Sequence, residues 1–82
     1  MTTSGIVQID IHGMTKLQAE ACINNYLKKS GSSVYRLRVI HGYQRGTELC
    51  DMIRSRYRSH PKVLRVELSL NPGQTDLVLR EL

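Results

Sequence analysis

The sequence contains no tryptophan and no phenylalanine, and four tyrosines are its only large aromatic side chains. A core must therefore be assembled from Leu, Ile, Val, Met and Ala. Cysteine is scarce: Cys22 and Cys50 lie too far apart for a redox pair motif. Both fall among apolar residues of expected helices, which favours buried, reduced thiols of a cytoplasmic protein over a disulfide or a metal pair. No stretch approaches the roughly 18 apolar residues that span a bilayer. Met1 to Gly5 carries neither a basic nor a long apolar region, so no leader is read there and no membrane partner is expected. Repeats, linkers and low-complexity segments are missing as well. At 82 residues the chain fits one small domain, expected over 6–82 behind a flexible 1–5, and has no room for an interdomain substrate cleft.

What the sequence does have is positive charge. Twelve Lys and Arg face seven Asp and Glu, a net +5 that points to an acidic partner. The charge is also localised. Ten of the twelve cations fall between Lys28 and Arg65, where Glu48 and Asp51 are the only acids, so that segment carries +8 and the remainder −3.

Alternation over Ile6–Ile11 places Val7, Ile9 and Ile11 on one side and Gln8 and Asp10, followed by His12, on the other, the pattern of a half-buried strand. Thr15 and Gln18 form a capping box that opens a helix. Ala19, Cys22, Ile23, Tyr26 and Leu27 recur at helical spacing, Lys28 and Lys29 complement the helix dipole, and Gly31 is expected to supply a left-handed stop. Val34–Ile40 reads as a second strand. After the loop His41–Gly46, Thr47 can cap a helix with Leu49, Met52, Ile53 and Tyr57 as its apolar stripe, Arg54 and Arg58 on its exposed side and Arg56 on the flank. Pro61 ends that helix. Val63–Leu70 alternates with Leu64, Val66, Leu68 and Leu70 toward the core, Asn71-Pro72-Gly73 fits a type II turn, and Thr75, Leu77 and Leu79 mark a last strand. The order is β-α-β-α-β-β, closing with an antiparallel hairpin.

Chemistry concentrates at two strand-to-helix junctions, Asp10-Ile11-His12-Gly13 and His41-Gly42. If the first two strands are parallel neighbours joined by a right-handed crossover, both junctions emerge at one edge of the sheet, beside helix amino termini that can bind phosphate oxygens. Alternation puts Asp10 and His12 on one face, where a carboxylate can orient an imidazole for proton transfer. The same spacing also serves a turn-stabilising hydrogen bond.

These elements resemble the Smr (small MutS-related) domain family. The resemblance rests on Ile9-Asp10-Ile11-His12-Gly13, on Val39-Ile40-His41-Gly42, and on the late turn Asn71-Pro72-Gly73-Gln74-Thr75, and it runs from Val7 to Leu79. It implies a two-layer α/β sandwich with a four-stranded mixed sheet, similar to the carboxy-terminal domain of translation initiation factor three. It implies RNA or branched DNA as partner, in some members on the ribosome, and endonuclease activity in several. Carried over by position, Asp10 and His12 are the expected catalytic pair, while His41, Gly42 and Gly46 match the second element. The family usually reads His-Gly-x-Gly-x-Gly there. Here Gln44 replaces the middle glycine and restricts how closely the backbone can approach a phosphate.

Gly13 and the loop Gly42, Tyr43, Gln44, Arg45 and Gly46 are the candidate contacts to nucleic acid, Arg45 as a forked phosphate donor and Tyr43 as a stacking surface. Arg54 and Arg58 follow the loop, and Lys62 and Arg65 extend the track. A solvated helix face accounts for the arginines of the second helix equally well. No cofactor is expected to be required: His12 as base, His41 as acid or phosphate donor, or the two with roles exchanged, and Asp10 as tautomer holder make a metal-free route, with Mg²⁺ recruited at Asp10 as the other. Three readings stand: an endonuclease, a non-catalytic nucleic-acid or ribosome-binding module, and a protein adaptor using strand edges. A monomer is expected, since Arg and Glu in the terminal strands discourage edge pairing.

Overall fold

A computed structural model describes residues 5–29, 31, 33–42 and 48–81. Its elements follow the expected order: β1 (Ile6–Asp10), α1 (Lys16–Lys29), β2 (Arg36–Ile40), α2 (Glu48–Tyr57), β3 (Arg65–Leu68) and β4 (Gln74–Val78). The sheet order is β1-β2-β4-β3, with β1 and β2 parallel and β4 antiparallel to both of its neighbours. Each helix follows one strand and precedes a parallel one displaced in the same direction. Right-handed crossovers then place both helices on one face, giving two layers.

The capping box is present: Gln18 N donates to Thr15 Oγ1 and Thr15 N to Gln18 Oε1, each at 3.1 Å. Ala19, Ile23 and Leu27 of α1 and Ile53 and Tyr57 of α2 meet Leu37, Val39 and Leu77 of the sheet in one core, joined by Ile11 and Val63. Tyr57, fully buried, donates its hydroxyl to Asn24 Oδ1 at 2.7 Å, and burial pushes its ionisation up to about 12. Both cysteines are free thiols, Cys50 buried and Cys22 half-buried. No described helix is long and apolar enough to cross a membrane.

Three expectations are corrected. The alternation of the third strand has the right phase, since Val66 pairs with Leu77 and packs on the core. Yet Leu64, Leu68 and Leu70 are 55%, 66% and 105% exposed. β3 is an edge strand, α2 lies against β4, and the helix layer ends before it covers that edge. Val63, just ahead of the strand, is the residue buried instead. Gly31 does not adopt a left-handed conformation, and neither does Gly73; among the described residues the left-handed glycines are Gly5, Gly13 and Gly42. The turn Asn71–Gln74, closed by Gln74 N donating to Asn71 O and braced by Gly73 N donating to Asn71 Oδ1, is therefore not type II.

Candidate functional site

The parallel register Asp10↔Ile40 brings the ends of β1 and β2 to one rim. Ile11 N donates to Ile40 O at 2.8 Å, extending the pairing one step, and Met14 N then donates to Ile11 O to close a tight turn. Gly13 takes φ +81° in that turn, the conformation type II geometry demands of its third residue. At the matching position after β2, Gly42 has φ +75°, and a Cβ built on it would lie 3.5 Å from His12 Cβ. The two His-Gly junctions are thus in contact.

The Asx turn delivers the third sequence element to the same place. His41 N and Gly42 N both donate to Gly73 O, at 2.9 and 3.0 Å. Segments 10–13, 41–42 and 71–73 converge on one rim, with the capped amino terminus of α1 beside it.

Asp10 and His12 form the pair that alternation suggests. Asp10 Oδ1 accepts from His12 N at 3.1 Å and from His12 Nδ1 at 2.5 Å. The side-chain bond to His12 holds the Asp10 carboxyl below its usual range, so it is ionised near neutrality. An ionised carboxylate only accepts, so the ring proton sits on Nδ1 and the lone pair of the neutral imidazole on Nε2. Both side chains face solvent. The arrangement is that of an oriented, accessible base.

His41 is placed differently from the exposed acid or phosphate donor expected of it. It is 4% exposed, and both ring nitrogens are occupied: Nδ1 donates to Gly42 O and Nε2 meets Thr75 Oγ1, each at 2.8 Å. A carbonyl can only accept, so in the neutral ring Nδ1 carries the proton and the Thr75 hydroxyl donates to Nε2. Thr75 Oγ1 in turn accepts a long bond, 3.4 Å, from Arg54 Nε. Arg54 is therefore half-buried and joined to the rim through Thr75, not on the open helix face. Thr75 is the functional candidate that the sequence pattern passed over as a strand residue. Its place as the last residue of the late turn motif Asn71–Thr75 is the signal that could have flagged it.

The remaining candidates divide. Tyr43, Gln44, Arg45 and Gly46, with the cap Thr47, lie outside the described residues. Arg58, Lys62 and Arg65 do not continue a track from the rim: α2 runs away from it, and Arg65 pairs in register with Val78, at the end of β4 opposite Gln74. Lys62 Nζ donates to Leu27 O at 2.9 Å, capping α1, and Arg65 is ion-paired with Glu67 and Glu81.

The +8 of the central segment is likewise reduced by acids from outside it. On the outer face of the sheet Arg36 binds Asp76 and Glu67, each at 2.8 Å, and Arg38 lies 3.4 Å from Asp76, while Arg56 pairs with Glu20 on α1. The paired carboxylates raise the Arg36 ionisation further, Asp76 most. Among the described residues no cluster of three or more His, Cys, Asp or Glu could hold a metal ion.

The Smr domain family model matches residues 9–74, a span containing all three rim segments. The chain belongs to the Smr family. Its fold is similar to the crystal structure of the Smr domain of Thermus thermophilus MutS2, with a TM-score of 0.79 at 22% identity over 92% of this chain and 99% of that one. No curated protein sequence matches. At that identity the structural likeness shows the Smr architecture alone.

Proposed function

We propose that this Smr domain binds nucleic acid at the rim and cleaves RNA there, with His12 as general base and Asp10 as the group that holds its tautomer. The observation carrying this reading is the solvent-facing Nε2 of a histidine whose Nδ1 is committed to an ionised carboxylate. In the step, His12 Nε2 takes the proton of a 2′-hydroxyl and the 2′ oxygen attacks the adjacent phosphorus. The bond from phosphorus to the 5′ oxygen breaks, and that oxygen is protonated by solvent. The products are a 2′,3′-cyclic phosphate and a 5′-hydroxyl. The left-handed Gly42 leaves the space beside His12 Cβ free of a side chain, and Arg45, by its chemistry, is the candidate for the phosphate oxygens. His41, Thr75 and Arg54 position the turn and do not meet the substrate.

A second reading, a module that binds RNA or branched DNA without cutting, is favoured by one observation: the ring nitrogens of His41 are occupied, leaving no second histidine as acid. Incubating labelled RNA and its 2′-deoxy counterpart with wild type and His12→Ala separates the two. Cleavage of RNA alone, reduced about 10²- to 10⁴-fold in the variant, is expected of a general base. Binding without cleavage would establish the second reading; full loss of cleavage in EDTA would replace the metal-free route by one through Mg²⁺.

A further inference from the structure

Among the described residues, the end of the molecule opposite the rim collects most of the unneutralised positive charge. α1 and α2 both run away from the rim, so Lys28 and Lys29 at the end of one helix and Arg58 just past the other lie at that far pole. Lys62, bound to Leu27 O, ties the α2–β3 connection to the end of α1, and Arg80, donating to Val34 O at 3.3 Å, joins them from beyond β4. Lys62 and Arg80 meet backbone carbonyls, which leave their charges uncompensated. Lys28, Lys29 and Arg58 are exposed, with no ion pair among the described residues. Against these, Glu81 is already taken by Arg65. At the rim, by contrast, Lys16 lies 3.8 Å from Glu48, and Arg54 is half-buried against Thr75.

We infer that this pole is a second nucleic-acid contact, which grips the phosphodiester backbone electrostatically while the rim engages another stretch of the same strand. Charge complementarity selects the partner, and the shortage of exposed apolar side chains among the described residues selects against a membrane: of their exposed leucines, Leu17, Leu68 and Leu70 sit on the rim side and only Leu64 lies near the pole. The 14 residues of α1 separate pole from rim, roughly 20 Å at 1.5 Å per residue. At 3.4 Å of axis per phosphate, the spacing along one strand of a duplex, about six phosphates bridge that distance, and a more extended single strand needs fewer.

The inference rests on nucleic acid as the ligand but not on cleavage. Its test is the salt dependence of binding of a labelled single-stranded RNA of about 20 nucleotides. Lys28→Gln/Lys29→Gln/Arg58→Gln should lower the log–log slope by about 2, a loss on the order of 100-fold at 0.1 M salt. Arg38→Gln removes a cation on the outer face of the sheet, away from pole and rim, and should change the slope by less than about 0.5; thermal melts verify that both variants fold. Equal loss per charge in the two variants, or an unchanged slope in the first, overturns the pole while leaving the rim reading intact. No binding by wild type overturns both. Wild-type capture by anionic phospholipid vesicles, abolished in the triple variant while RNA binding is unchanged, would assign the pole to a membrane instead.

Discussion

Thr75→Val tests the buried linkage beneath the rim. The substitution keeps the volume of a side chain that is fully buried and removes the one hydroxyl that donates to His41 Nε2. His41 is itself 4% exposed, so water cannot reach the orphaned lone pair. Leaving a buried acceptor without a partner costs about 1–3 kcal/mol. Arg54 loses its long bond to Thr75 as well, but its half-buried guanidinium can rehydrate and adds little. For a domain of this size each kcal/mol lowers Tm by about 4–8 °C, so a fall of about 4–24 °C is expected. Urea denaturation gives the free energy directly, and Thr75→Ser, which keeps the hydroxyl and drops a methyl worth about 0.8 kcal/mol, is the companion variant. In nitrogen NMR the His41 ring should retain its Nδ1 proton in Thr75→Val while the Nε2 resonance moves. A stability within about 0.5 kcal/mol of wild type, below the cost of an unmade buried bond, would refute the assigned linkage.

Gly42→Ala should lose roughly 1–2 kcal/mol in urea melts, since its φ of +75° is costly for any residue with a Cβ while the nearest atom, 3.5 Å away, adds no clash; an unchanged midpoint would contradict the left-handed junction. Tyr57, raised to about 12 by burial, should titrate well above 10 in ultraviolet difference spectra, read as the signal that Tyr57→Phe removes. Because the folded state holds that proton more tightly, stability should decline as pH rises from the unfolded value near 10 toward 12, and a Tyr57 titration near 10 would contradict the burial.

Much of the site was legible because its decisive relations are local. The Asp10–His12 contact spans two residues and the Thr15–Gln18 box three, so alternation and capping chemistry determine them before any tertiary contact forms. The element order and the shared rim followed from strand and helix periods together with the handedness of crossovers. Turn type at Asn71–Gln74 was not determined in this way, because Pro at the second position suits types I and II alike and Gly permits a positive φ without requiring one.

The sequence by itself determined which side chains share a strand face, where helices start, and that three short motifs end their segments in turns. Only the tertiary structure decided what covers those faces and what those side chains meet. Alternation reports the phase of Leu64 and Leu68 but not that β3 lies beyond the helices. A charge sum over Lys28–Arg65 cannot register that Asp76, Glu67, Glu20 and Glu81 fold back onto Arg36, Arg38, Arg56 and Arg65. His41 was visible as a histidine at a junction, yet its partner Thr75 lies 34 residues away. Burial and pairing at that distance are properties of the closed chain, because they depend on which segments the sheet order makes neighbours.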